Sequence, residues 1–257
     1  MKAVIFAGGL GTRLGNRTGL LPKPMIKIGE KPILWHIMKI YSSYGIKQFI
    51  ICLGYQGDVI KDYFLNYDLI NNDFTVRLGD KKTIFHTDRT ETDWEVTLVD
   101  TGVRTLKGAR LKRVENYLDD DCNLLTYGDG VADLSIKELI SFHRSHGKTV
   151  TITGVYPPAR FGELIAENNL VKSFQEKPQT SQGLINGGFM VFNQELFQYL
   201  TIEQDCDLEV GVLENLAKRG KVMVYQHAGN WECMDNERDV KHLNQLWRED
   251  QAFWKVW

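Results

Sequence analysis

Little in this chain is extreme. Six prolines in 257 residues, no repeat and no low-complexity tract leave no linker to separate domains and no long stretch expected to be disordered. The four cysteines, Cys52, Cys122, Cys206 and Cys233, are far apart with no C-x-x-C spacing. This argues against a zinc site or a disulfide framework and fits a reducing, cytoplasmic setting. Charge of neither sign dominates: 31 Lys and Arg against 33 Asp and Glu give a net charge of −2. A nucleic-acid partner and an anionic membrane surface are therefore not expected. The apolar run at residues 3–7 is too short for a leader peptide and runs into a glycine loop. No segment is long enough to span a bilayer.

What is present is a regular alternation of strand and helix signals. Residues 2–6 form a β-branched apolar run stopped by Ala7-Gly8-Gly9. Apolar residues at helical spacing then run from Pro32 to a stop at Gly45, and 48–53 reads as a second buried strand. Helices are predicted near 58–65, 110–117, 135–146, 208–218 and 240–248. Strands are predicted at 95–100, 123–127, 149–156, 170–174, 188–192 and 222–225. Such alternation indicates an α/β fold of stacked βα units around a largely parallel sheet. We read one domain, residues 1–257, with a nucleotide-side half of about 1–134 and a sugar-phosphate-side half of about 135–257. Ligands should collect at the carboxyl ends of the strands.

The loop Gly8-Gly9-Leu10-Gly11-Thr12-Arg13 follows the first strand directly, where its backbone N–H groups can face an anion such as a triphosphate. A plain tight turn is the bland alternative. A dinucleotide fingerprint fails because Leu14 stands where its third glycine belongs, and no Gly-Lys-Ser/Thr follows to make a Walker loop. Arg13, and Lys23 between Pro22 and Pro24, are cations suited to charge developing on phosphate. Asp129, in Tyr127-Gly-Asp-Gly130, and Asp235 each follow a predicted strand, and together they suit Mg²⁺. Glu176-Lys177 offers an acceptor for a sugar hydroxyl and a cation for a sugar phosphate, with a surface ion pair as the alternative. Asp133 and Asp239 read as helix-start residues. His36 and His242 read as structural, and His143 and His146 as part of a solvated helix end. The C-terminal tail 253–257 reads as a packing or oligomer contact.

Gly8 to Arg13 together with Pro22-Lys23-Pro24-Met25 resembles the opening signature of the sugar-nucleotide pyrophosphorylases, a nucleotidyltransferase family with a Rossmann-like fold, and the likeness runs through the whole chain. Lys31-Pro-Ile-Leu-Trp-His-Ile-Met38, Val96-Thr-Leu-Val-Asp-Thr-Gly102, Ser173-Phe-Gln-Glu-Lys-Pro178, Ile185-Asn-Gly-Gly188 and Met234-Asp235 look like its cytidylyltransferase branch. The resemblance implies a mostly parallel, mixed sheet, Mg²⁺ at Asp129 and Asp235, and CTP with α-D-glucose 1-phosphate as substrates. CDP-glucose and pyrophosphate would be the products, feeding deoxysugar synthesis.

By the same resemblance, Gly8, Gly9, Gly11, Thr12, Asp100, Thr101, Gly102, Thr126 and Tyr127 bind the nucleotide. Gly162, Glu176, Lys177, Asn186 and Gly187 bind the sugar phosphate. Arg110 is implied to reach a neighbouring subunit's phosphate site in a homo-oligomer, a trimer or hexamer; an exposed helix face is its alternative. Two positions depart from the branch. Leu21 stands where a lysine is usual, and Gly211-Val212-Leu213 stands where Glu-Pro-Leu is usual. A uridylyl- or thymidylyltransferase, or a transferase for another sugar 1-phosphate, is therefore the first alternative. A non-catalytic nucleotide-sugar sensor is the second.

Overall fold

The computed structural model describes residues 1–11, 21–86, 91–157, 163–167, 170–175 and 183–257. Among the predicted site residues, Thr12, Arg13, Gly162, Glu176 and Lys177 lie outside these. Eight strands make the central sheet: β1 (Ala3–Phe6), β2 (Gln48–Leu53), β3 (Glu95–Asp100), β4 (Asn123–Tyr127), β5 (Val150–Val155), β6 (Ile185–Asn186), β7 (Met190–Phe192) and β8 (Val222–His227). β4, β1, β2 and β3 run parallel side by side. β7 joins β4 antiparallel, and β5 pairs antiparallel with β6 and β7 and parallel with β8. The sheet is thus mixed: its four-stranded parallel block comes from the first half of the chain, and β5 and β8 add a further parallel pair from the second.

β1 (AVIF) and Phe49 to Leu53 of β2 are unbroken, buried apolar runs because both faces of the sheet are covered there. Period-two alternation divides β1 between two cores. Ala3 and Ile5 pack on one side with helix α1 (Ile33–Ser43), Val240 and Leu243, whereas Val4 and Phe6 pack on the other with Leu111, Leu208 and Leu216. Nine of the eleven α1 residues are buried, so this helix is enclosed on all sides. Helix α2 (Gly57–Leu65) follows β2, and α3 (Lys107–Arg113) follows β3. Helix α4 (Ile136–His146) is capped by the Ser135 side chain and ends on Gly147 at φ +63°. Helix α5 (Glu237–Arg248) opens with a capping box between Asn236 and Asp239.

Several local expectations change. The helix expected over 208–218 is broken: Val210 (ψ 120°) and Gly211 (φ +93°) leave helical geometry, and a regular helix resumes only at Glu214–Lys218. His143 is buried, with its two ring nitrogens bonded to Thr151 Oγ1 and Asn193 Oδ1, so it is no part of a solvated helix end. Asp133 caps no helix; it pairs with His227 at 2.8 Å and accepts from the Asn230 backbone. Asp239 does sit in the first turn of α5. His36 is a core residue against Ile28 O and the Trp254 indole, and Trp254 is itself buried, so the tail packs on its own chain. The exposed hairpin of Phe74–Arg77 and Lys82–Phe85 was not anticipated. Among the described residues no helix is long and apolar enough to cross a membrane.

Candidate active site

A cavity of about 700 Å³ opens at the carboxyl ends of β1 and β4, large enough for a nucleotide-sized ligand. Gly8, Gly9 and Gly11 border it from the end of β1, and Thr126 and Tyr127 from the end of β4. Asn186 and Gly187 close it where β6 breaks from β7. That break is built from Gly188 (φ +78°) and Phe189 (φ +42°), and Trp231 Nε1 donates to Gly187 O at 2.8 Å. Asn186 and Gly187 thus reach the same cavity as the glycine loop, although they lie in the other half of the sequence.

Lys23 begins a single 3₁₀ turn, Lys23–Met25, between two prolines. Pro22 supplies the extended entry, and Met25 N–H closes the turn on Pro22 O at 2.8 Å. Gly128 brings the next loop close, since a Cβ there would stand 2.7 Å from Phe6 O and 3.1 Å from Pro24 Cγ. Asp129 follows it, leading into a small two-stranded antiparallel ladder in which Gly130–Ala132 pairs with Trp231–Cys233. Met234 N–H then donates to Asp129 O at 2.9 Å, and Asp235 N–H to the Asp239 carboxylate at 2.8 Å. The capping box of α5 therefore anchors the backbone of Asp235.

These constraints converge on one point. Lys23 Nζ lies 2.6 Å from Asp129 Oδ2 and 2.6 Å from Asp235 Oδ1. Burial alone would lower the ammonium's pKa, but the two carboxylates overcome that and hold it above its ordinary value. Cys233 also faces this point: its sulfur and the two carboxylates lie within 4.8 Å of one another. Burial, then the Asp129 charge, push the thiol's pKa up. Two carboxylates already closed around an ammonium form a place built for a cation. Their hard oxygen donors fit a divalent ion of the Mg²⁺ type that keeps part of its water.

Arg110 requires a correction. Its side chain is not an exposed helix face. It is buried, and its guanidinium donates to Leu53 O (2.9 Å), Thr101 Oγ1 (2.7 Å), Gly8 O (3.0 Å) and Val103 O (3.3 Å) of its own chain. The predicted base-pocket segment shifts with it. Thr101 is buried and donates to Leu53 O, Asp100 accepts from Gly102 N–H, and none of the three borders the cavity. Gly102, at φ +87°, turns the chain so that Val103 to Lys107 form this wall instead. Sequence reasoning missed Lys107, Trp231 and Glu209. Lys107 pairs with Glu209 at 2.6 Å and lies 5.1 Å from the centre of the Tyr127 ring. A Lys at the first position of α3 carries no motif, so only the folded structure shows its role.

Comparison with known proteins agrees with this arrangement. Over the full length of both chains, the protein is 51% identical to a glucose-1-phosphate cytidylyltransferase of Salmonella typhi and to one of Salmonella typhimurium. A UDP-glucose pyrophosphorylase solved in complex with UDP-glucose shares the fold, with a TM-score of 0.69 at 16% identity over 97% of this chain and 98% of the other. A glycine loop after the first strand and a lysine held by two carboxylates thus stand in a mixed sheet shared with such enzymes, and with residues 2–250 matching its pattern the chain belongs to the nucleotidyl transferase family.

Proposed function

We propose that this protein transfers the cytidylyl group of CTP to α-D-glucose 1-phosphate, giving CDP-glucose and pyrophosphate. The observation that carries the reaction type is Lys23 held between Asp129 and Asp235 at the wall of a glycine-lined cavity. The choice of substrates is supported by full-length identity to two glucose-1-phosphate cytidylyltransferases.

In this reading a phosphate oxygen of the sugar phosphate attacks the α-phosphorus of CTP. The bond to the bridging oxygen breaks, and its electron pair leaves on pyrophosphate. The attacker is already an anion, so no side-chain nucleophile or base is needed, and catalysis rests on positioning and charge. The backbone N–H groups of Gly8, Gly9 and Gly11 hold the triphosphate. The Lys23 ammonium, kept protonated by its carboxylates, offsets the charge that builds on the phosphates. Arg13 is assigned the same task from the other end of the loop. Members of this family generally use a divalent metal; Asp129 and Asp235 would hold Mg²⁺, which would supply charge neutralisation at the phosphates.

The nucleotide is assigned to the side formed by residues 1–134 and the sugar phosphate to the side formed by 135–257, the half to which Asn186, Gly187, Glu176, Lys177 and Gly162 belong. The free cysteines suit a cytoplasmic enzyme. Pyrophosphate release measured across a matrix of nucleoside triphosphates and sugar 1-phosphates tests the proposal. Fastest turnover with CTP and glucose 1-phosphate is expected. Preference for UTP or dTTP would redirect the substrate assignment, and no release with any pair would favour a non-catalytic sensor.

A further inference from the structure

Glu209 reaches the cavity wall through an irregular piece of chain. The Asp207 carboxylate accepts from Glu209 N–H (2.9 Å) and Val210 N–H (3.2 Å), starting a turn that Val210 and Gly211 then break. The break separates Glu209 from the helix that follows. Its Oε1 accepts from Lys107 Nζ and from Tyr127 Oη, both at 2.6 Å, while Oε2 is buried with no hydrogen-bond partner among the described residues. A buried carboxylate oxygen left without a donor costs stability, and such exceptions concentrate where function requires them.

The hydrogen bonds leading away from Glu209 can run in only one direction. Asn186 Oδ1 accepts from Gly188 N–H at 3.0 Å, which the amide NH₂ could not do, so its Nδ2 must be the atom 2.9 Å from the Tyr127 hydroxyl. That hydroxyl therefore accepts from Asn186 and must donate elsewhere. Glu209 is the acceptor, and the same Oε1 also meets Lys107 Nζ. The chain reads Asn186 to Tyr127 to Glu209, and it leaves the second Nδ2–H of Asn186 at the cavity border as a donor of fixed direction.

We propose that Glu209 is a positioning residue for the sugar: by anchoring the Tyr127 hydroxyl it sets Asn186 to donate a hydrogen bond to a hydroxyl of the hexose. This rests on the assignment of Asn186 to the sugar side made above. Glu209 meets Lys107 and Tyr127 and not the Lys23, Asp129 and Asp235 cluster, so the effect falls on sugar binding rather than on the chemical step.

Steady-state kinetics with each substrate varied in turn tests this. Glu209→Met should raise the KM for glucose 1-phosphate about tenfold, the loss of one hydrogen bond, with kcat and the KM for CTP within about twofold. Glu209→Gln keeps an acceptor for Tyr127 and should restore most of the affinity. Tyr127→Phe should also raise the sugar KM, and Glu209→Met/Tyr127→Phe should be no worse than the poorer single variant, because both break one chain. Additive effects, equal shifts in both KM values, or a Gln variant as poor as Met would overturn the proposal. Should Glu209→Met not fold, the near-isosteric pair Glu209→Gln and Tyr127→Phe with Tyr127→Phe/Glu209→Met omitted still reads out: Gln near wild type beside a raised sugar KM in Phe supports it, and the reverse order sinks it. If the substrate matrix selects another pair, the same cycle is run on that pair, so the two readings fail separately.

Discussion

The guanidinium of Arg110 fills the space that a side chain on Gly8 would need. A Cβ on Gly8 would collide with Arg110 Nη1 and Cζ and would stand 2.9 Å from Gly54 N, while Arg110 Nη2 donates to Gly8 O at 3.0 Å. The first glycine of the loop is thus required by a close approach, and the arginine that requires it also braces the loop from behind.

Removing that brace should act within one chain. Arg110→Ala leaves the Gly8, Leu53 and Val103 carbonyls without this donor, and we expect about 2–4 kcal/mol of lost stability in chemical denaturation, with weakened CTP binding. Mixing Arg110→Ala with Lys23→Ala protein should restore no activity. Recovery on subunit exchange would show that Arg110 serves a neighbour's site after all.

Asp129→Asn and Asp235→Asn should each lower kcat by at least about a hundredfold, roughly 2.7 kcal/mol, in saturating Mg²⁺. Because the Lys23 ammonium already lies between the two carboxylates, the apo variants gain little from relieved repulsion and lose an ion pair. Their Tm should instead fall by roughly 2–4 °C, corresponding to about 1 kcal/mol for a partly solvated ion pair. Near-normal kcat in either variant would remove that residue from the metal site.

Lys23 should remain charged through the neutral range. Its folded pKa is raised above the ordinary 10.5, so its contribution to stability is complete below 10.5 and fades as pH rises through the folded value. The Tm difference between wild type and Lys23→Met should be constant from about pH 7 to 9 and shrink only above 10.5. A difference already shrinking near neutral pH would contradict this pairing.

His36 supplies an acid-side dependence. Burial pushes its pKa down from 6.5 to about 4, opposed by hydrogen bonds to Ile28 and Lys31. Above pH 6.5 the ring is neutral whether folded or not; below it the unfolded chain takes up the proton first, so stability falls between pH 6.5 and about 4. The full loss is at most about 3 kcal/mol. A His36→Gln variant should show a flatter Tm profile over that window, and an unchanged slope would place the acid sensitivity elsewhere.

By itself the sequence determined the alternation of strands and helices, the glycine loop after β1, and the residues able to meet phosphate or a metal. Each of these depends on local pattern: apolar period, a glycine after a strand, a lysine between two prolines. It also carried the family likeness through which Asp129, Asp235 and Asn186 were assigned. Tertiary structure alone decided which of these meet. Lys23, Asp129 and Asp235 are brought together from 106 and 212 positions apart by parallel pairing of β1 with β4 and by the capping box of α5. The structure also turned Arg110 inward and moved the cavity wall from Asp100–Gly102 to Val103–Lys107, because a positive φ at Gly102 redirects the chain. The broken turn at Val210–Gly211 replaced part of an expected helix for the same kind of reason. Backbone direction at a single glycine, and the long-range partner that fills the space beside it, are set by packing, and no local sequence pattern contains them.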